Sequence, residues 1–286
     1  MSKFEDVTGR YLNVEIDGIQ YRGYVEEVGE GIPLMLQHTA GSDSRQYRFL
    51  MNDEEVTSKF KLIAYDLPFH GKSLPPLNIE WWKDTYSLKR DFFMKYILAL
   101  KDALNLEQPV FMGSSMGGHM AADLAYYHPD KFSAVIGLEA ALYTEAENMP
   151  TLRYLSDNPQ IGRDYLGYSM YSAMAPDVPE RFKQEIAYCY NQGGPGIFAG
   201  DIDYYAFDHD LRGKADQIDT RECMVYLLWG EYDFATPPEV CQKLADEIKG
   251  CKGSLMKGLG HFPMTESYLR FKNYLMPFLN EIVENR

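Results

Sequence analysis

Cysteine is scarce in this chain: there are four in 286 residues, Cys189, Cys223, Cys241 and Cys251. They form no C-x-x-C pair and have no histidine at zinc spacing, so free thiols are expected rather than a disulfide framework or a zinc site. Long apolar runs are missing too. Nothing approaches the ~18 residues that cross a bilayer. The opening Met1-Ser2-Lys3-Phe4-Glu5-Asp6 carries acids and no apolar h-region, which argues against a secretory signal and for a cytoplasmic protein. Basic residues are also few, 28 against 42 acidic ones, for a net charge of −14. A nucleic-acid backbone or an anionic membrane would be repelled at long range, so neither is expected as a partner. A small-molecule substrate is expected, with self-association into a homo-oligomer left open.

Two apparent ligand motifs fail on inspection. Gly71-Lys72-Ser73 ends like a phosphate-binding loop, but Asp66 occupies the required earlier glycine position. Asp201, Asp203, Asp208 and Asp210 suggest a calcium loop, yet Ala206 stands where the turn glycine belongs and Arg212 where the bidentate glutamate belongs. These acids read instead as a solvated face. No cofactor and no metal is expected.

What is present is ordinary globular material, 45% hydrophobic and 24% charged, long enough for one α/β domain with an insertion. Residues 11–16 and 19–24 alternate around Asp17-Gly18, a hairpin signal. Short buried strands are expected at 32–36, 60–65, 110–112, 132–138, 224–229 and 254–256, separated by helical stretches at 45–56, 86–104, 119–127, 239–248 and 266–282. This order predicts a mostly parallel sheet covered on both faces, with ligands at its carboxyl edge. Between residues 143 and 212 the strand rhythm stops. That stretch holds helical pieces such as 179–191, a Gly193-Gly194-Pro195-Gly196 turn, and many tyrosines and phenylalanines.

The most informative stretch is Val110-Phe111-Met112-Gly113-Ser114-Ser115-Met116-Gly117-Gly118, a short apolar strand, a tight Gly/Ser turn and the start of an Ala/Leu-rich helix. Gly113, Ser115 and Gly117 fit the G-x-S-x-G nucleophile elbow. A side chain thrown out at the tip of so tight a turn needs a strained backbone, and flanking glycines remove the Cβ atoms that would collide. Asp233 follows Gly230 in a Gly-x-x-Asp turn after the seventh strand, and His261 sits on Gly258-Leu259-Gly260 before the last helix.

In the order Ser115, Asp233, His261, each after a predicted strand, the chain resembles the α/β-hydrolase superfamily over nearly its whole length. The resemblance implies an eight-stranded, mostly parallel α/β-hydrolase sheet with a helical cap inserted after the sixth strand. It assigns residues 1–142 and 213–286 to the core and 143–212 to the cap. It implies a Ser115 nucleophile, a His261 base and an Asp233 acid, with Glu139 at the end of the sixth strand as rival acid. Oxyanion donors would be the N–H groups of Met116 and Ala40, the latter in Gln37-His38-Thr39-Ala40-Gly41. There Thr39 replaces the family's usual first glycine, a cost if that position needs positive φ. Asp66-Leu67-Pro68-Phe69-His70-Gly71-Lys72-Ser73 is similar to the turn common after the family's fourth strand, with Phe69 in place of glycine and His70 read as structural. A serine nucleophile disfavours the branches that use an aspartate. The implied activity is hydrolysis of a small soluble ester or lactone. The alternatives are carbon–carbon cleavage of a diketone-like substrate by the same residues and, in a different class, a ligand receptor or inactive interaction module. The aromatic cap is expected to cover a mostly apolar pocket, opening at Gly193–Gly196.

Overall fold

The computed structural model describes residues 4–145 and 149–286. Residues 1–3 of the acidic start and 146–148 of the expected cap lie outside the described residues.

Strands β1 (Thr8–Ile16) and β2 (Ile19–Val28) form the expected hairpin, and Asp17 and Gly18 take the positive φ values, 52° and 77°, that its two-residue turn requires. The sheet continues through β3 (Ile32–Gln37), β4 (Phe60–Tyr65), β5 (Val110–Ser114), β6 (Ala134–Leu138), β7 (Met224–Gly230) and β8 (Lys252–Met256). Its order is β1-β2-β4-β3-β5-β6-β7-β8. β2 runs antiparallel to β4, and every pairing from β4 across to β8 is parallel. Strands covered on both faces must be apolar throughout rather than alternating, and every residue of β5 and β6 is buried.

The helices are α1 (Arg48–Met51), α2 (Glu54–Thr57), α3 (Arg90–Ala103) and α4 (Met116–Tyr127), then α5 (Met149–Ser156), α6 (Gly162–Ser172), α7 (Glu180–Asn191) and α8 (Ile197–Asp203) in one insertion between β6 and β7. α9 (Pro238–Glu247), α10 (Pro263–Glu266) and α11 (Tyr268–Glu284) follow.

Three expected helices are broken or shortened, each for a local reason. The stretch 45–56 breaks into a 3-10 turn, α1 and α2, because the Asp53 side chain accepts the Glu55 N–H at 3.0 Å and starts a new helix. The stretch 86–104 becomes helical only at Arg90. Before it, Tyr86 and Ser87 donate to Asp201 and Asp203 at 2.8 and 2.6 Å, and the Leu88 N–H donates to the Gly200 carbonyl at 2.8 Å. The final helix is split at Ser267, whose φ of −155° is extended, so Glu266 belongs to α10.

Close packing of α4 on the sheet explains two of the elbow's glycines. A Cβ on Gly113 would lie 2.3 Å from the Gly117 carbonyl oxygen, and one on Gly118 would lie 2.1 Å from that of Leu138. Ser115 is thereby held between β5 and α4 by contacts that no larger residue permits.

Candidate active site

Ser115 caps α4 with φ 54° and ψ −112°, a conformation strained for a residue with a Cβ. Its N–H donates to the Leu138 carbonyl on neighbouring β6 at 2.8 Å, which ties the turn to the sheet.

After β7, Asp233 accepts the N–H groups of Ala235 and Thr236 on Oδ1, at 2.8 and 3.0 Å. Its Oδ2 lies 2.7 Å from His261 Nδ1. A carboxylate is an acceptor, so Nδ1 carries the proton and Nε2 is left free. Burial pulls the His261 pKa down, but the charge of Asp233 and its hydrogen bond, with Glu266 behind, outweigh burial and raise it above its ordinary value. Ser115, Asp233 and His261 are all buried, 8%, 2% and 5% exposed.

Glu139, the rival acid, stands beside Asp233 rather than on His261. Both its carboxyl oxygens face the Gly230 N–H, at 2.9 and 3.1 Å. Burial, and then the charge of Asp233, lift its pKa well above the ordinary carboxylate value. Like Ser115, it has positive φ, 55°.

Glu266 went unnoticed in the sequence. Its carboxylate accepts N–H groups from Gly260 (2.7 Å), Phe262 (2.8 Å) and Ala175 (3.1 Å), and so braces both neighbours of His261.

The Met116 N–H is the first of α4, where no partner exists within a helix. Among the described residues the Ala40 N–H has no acceptor either. Thr39 is not at positive φ, so the cost raised by its Cβ does not arise; the positive values fall on Gly41, 67°, and Phe69, 73°. Phe69 keeps the glycine-like turn at a steric cost, with its ring packed on Tyr86 at 4.8 Å and Trp81 at 5.5 Å.

His119 lies one helical turn after Ser115, a spacing visible in the sequence but not weighed. Its Nδ1 donates to the Ser115 carbonyl at 2.7 Å, and its ring stacks on Tyr205 of the insertion at 5.4 Å. Burial and the neighbouring His209 pull its pKa down to about 3, which keeps it neutral.

Of the four acids expected on a solvated face, Asp210 is at the surface, paired with Arg212, and Asp208 is half-buried, but Asp201 and Asp203 are buried. Asp201 is fully buried and accepts from the Gly41 N–H and His70 Nε2, both at 2.7 Å, and from the Tyr86 hydroxyl at 2.8 Å. Asp203 receives Ser87 and Arg153, and the Arg90 N–H donates to Asp208 at 3.0 Å. The misreading has a physical cause: their partners lie between 50 and 160 residues away in sequence, beyond any local pattern. His70 also donates from Nδ1 to the Pro68 carbonyl at 2.9 Å, so both ring nitrogens face acceptors, as only an imidazolium allows. A second buried pair joins core to insertion, with His209 Nδ1 3.0 Å from Asp123 Oδ1 and Tyr204 donating to Asp123 Oδ2 at 2.7 Å.

A cleft of about 330 Å³ follows the seam between insertion and core, bordered by Gly193 and Gly194 on one side and Gly41–Arg45 and Phe69–Lys72 on the other. Ser115 and His261 are not among its walls. Among the described residues no group of His, Cys, Asp and Glu side chains is arranged to hold a metal, no helix is long and apolar enough to cross a membrane, and all four cysteines are free.

Comparison with known proteins agrees with this architecture. The esterase from Thermogutta terrifontis superposes with a TM-score of 0.83 at 19% identity, covering 96% of this chain and 99% of that one. The enol-lactonase from Burkholderia xenovorans LB400 gives 0.81 at 20% identity, covering 95% and 100%. In sequence, the 2-hydroxymuconate semialdehyde hydrolase of Pseudomonas sp. (strain CF600) is 23% identical over 93% of each chain. The family model for the alpha/beta hydrolase fold matches residues 32–268. Spanning most of the chain and all three candidate residues, that match shows that this protein belongs to the α/β-hydrolase family.

Proposed function

We propose that this protein is a serine hydrolase of small soluble carboxylic esters or lactones, with residues 143–212 as a cap over a core of 1–142 and 213–286. The observation that carries the reading is the buried 2.7 Å contact from Asp233 to His261 at the sheet edge that also presents strained Ser115. A serine hydroxyl is a weak nucleophile at neutral pH. His261 Nε2 takes its proton as Ser115 Oγ attacks the substrate carbonyl, while Asp233 holds the tautomer and stabilises the imidazolium. The carbonyl electron pair moves onto oxygen, where the N–H groups of Met116 and Ala40 receive it. Collapse expels the alcohol, which leaves with the proton from His261. Water then repeats the sequence on the acyl-enzyme, releasing the acid and restoring Ser115.

Substrate size and charge follow from the cap. Tyr190, Phe198 and Tyr205 face the core over Thr39, Gly41 and His119, the first through its hydroxyl and the other two through their rings. Arg212 and Lys214, two cations that could have accepted an anionic acid, are spent elsewhere: Arg212 on Asp210, and Lys214 on the Asp210 carbonyl and Tyr127. A neutral substrate is favoured. Entry is by parting of the insertion from the core along the seam, with Gly193–Gly196 as hinge. A second reading, hydrolysis of a carbon–carbon bond in a diketone-like substrate, is favoured by the name of the Pseudomonas relative. A panel of short esters, thioesters, lactones and diketones on the purified protein, with fluorophosphonate labelling, separates the two. Ester or lactone turnover with Ser115 labelled supports the first; turnover of diketones alone moves the assignment to the second, and no label with no turnover points to a receptor or inactive module.

A further inference from the structure

The donor offered by Ala40 depends on the peptide plane between Thr39 and Ala40, and the structure restrains that plane from every side. Its carbonyl end is held within the core: the Thr39 oxygen accepts His38 Nδ1–H at 2.8 Å. The Leu67 N–H donates to His38 Nε2 at 3.1 Å, which makes the ring the neutral Nδ1–H tautomer. Gln46 completes the core side, accepting the Thr39 N–H at 3.0 Å and donating to Thr39 Oγ1 at 2.9 Å.

The other restraints come from the insertion. Thr39 Oγ1 shares a 2.5 Å hydrogen bond with the hydroxyl of Tyr190 on α7. The Gly41 N–H donates to Asp201 on α8 at 2.7 Å, and Phe198 packs where a Gly41 Cβ would stand, 2.8 Å away. Ala40 is thus flanked, residue by residue, by two polar tethers from the same mobile-lid candidate. Neither tether is incidental: Tyr190 is 2% exposed and Asp201 is fully buried, and an unpaired buried carboxylate would be costly.

We propose that Asp201 and Tyr190 are positioning residues for the oxyanion hole, so that the insertion completes the catalytic geometry when it closes instead of only covering the pocket. The inference rests on the reading of Ala40 as an oxyanion donor. Lifting the insertion to admit substrate breaks the Tyr190–Thr39 and Asp201–Gly41 bonds and releases the Thr39–Ala40 plane; closure restores both. Chemistry is therefore confined to the closed state, in which water is also excluded.

The test compares Tyr190→Phe, Asp201→Asn and Asp201→Ala with the parent on a short 4-nitrophenyl ester and on a trifluoromethyl ketone of matching size, which forms a tetrahedral adduct with the serine. Removing an oxyanion donor outright costs roughly 10²–10³ in kcat. Loosening one is expected to cost about tenfold in Tyr190→Phe and about a hundredfold in Asp201→Ala, with KM within about threefold. Asp201→Asn, which keeps an acceptor for Gly41, is expected to fall between parent and alanine. The ketone affinity should drop by the same factor as kcat/KM, a coupling that a merely structural role would not produce. Ser87→Ala removes a different tether between core and insertion, the bond to Asp203, and is expected to leave kcat unchanged. Changes in KM alone, or a kcat loss without a matching loss of ketone affinity, overturn the proposal. An equal kcat loss in Ser87→Ala also overturns it, since any loosening of the cap would then suffice. Tyr190→Phe removes a single oxygen and keeps the test decisive if the Asp201 variants fail to fold. If Ser115→Ala retains ester turnover, it is the underlying serine-hydrolase reading that falls.

Discussion

Ser115, Asp233 and His261 stand on loops that leave β5, β7 and β8 of one sheet, whereas Tyr190, Asp201 and His209 arrive on a helical segment joined to that sheet at its two ends. The sheet-borne groups are placed by backbone pairing: a strand register fixes where each loop begins, and a few turn hydrogen bonds do the rest. The insertion-borne groups are placed by side-chain bonds across a seam, two of them buried His–Asp pairs. Positions of the first kind persist when a side chain is changed. Those of the second kind are conditional on every partner being present and correctly charged.

The sharpest way to break this contrast is to delete the proposed nucleophile. Ser115→Ala is expected to lose more than ~10³ in turnover and all fluorophosphonate labelling while unfolding at nearly the parent temperature, since nothing in the sheet rests on its hydroxyl. A label that appears on Ser114, or that survives the substitution, would reassign the nucleophile.

Next in size is the acid. Asp233→Asn is expected to lose roughly 10³–10⁴ in kcat, as an amide no longer holds the imidazole tautomer. Glu139→Gln should cost less than about tenfold, because Glu139 meets the Gly230 N–H and not His261, and an amide oxygen can still accept that N–H. The reverse ranking would transfer the acid to β6. In the parent, kcat/KM should fall toward acid as His261 takes up a proton, at a pKa above the ordinary ~6.5 because Asp233 and Glu266 face it; Asp233→Asn should move that limb to lower pH.

The insertion should answer differently, in stability more than in chemistry. Asp123→Asn leaves His209 buried beside an amide, and breaking such a pair costs about 3–5 kcal/mol of unfolding free energy. Burial lowers the His209 pKa, but Asp123, and less so Asp210, outweigh it and raise it; Asp201 does the same for His70. A raised folded pKa contributes stability that is complete below the unfolded value of ~6.5 and is lost as pH climbs through the folded value. The parent's denaturation midpoint should therefore decline on the alkaline side, and Asp123→Asn should flatten that decline. An unchanged profile would mean that the seam is held by packing alone.

The smallest expected effect tests the shape of the pocket. Rates on 4-nitrophenyl esters should drop about tenfold once the acyl chain passes roughly eight carbons, a limit set by ordinary pocket volumes. Flat or rising rates, or activation at an oil–water interface, would show that the cap does not close over the substrate as described.

How much of this was readable in advance differs along the same divide. The hairpin at Asp17-Gly18, the elbow at Ser115 and the loops of Asp233 and His261 are local: turn chemistry, strand-length apolar runs and chain order carry them, and the sheet followed. Helix ends were less legible. Tyr86 to Lys89 have helical neighbours in sequence, but their polar groups are claimed by Asp201, Asp203 and the Gly200 carbonyl. The acids of α8 looked like a solvated face because charge is normally exposed, and no short-range spacing joins Asp201 to His70, 131 residues away. Glu266 was hidden in the same manner, since its three partners are backbone N–H groups that any sequence provides.

By itself the sequence determined the succession of strands along the chain, the strand-turn-helix at Ser115 and the turns that carry Asp233 and His261, because each depends on backbone conformations that only certain residues adopt in succession. Only the tertiary structure decided which acid meets His261, that Glu139 stands behind it on the Gly230 N–H, and that Tyr190 and Asp201 grip both neighbours of Ala40. Those outcomes turn on distances between segments far apart in the chain and on the low dielectric of the interior, which raises the cost of every unpaired charge and so selects its partner.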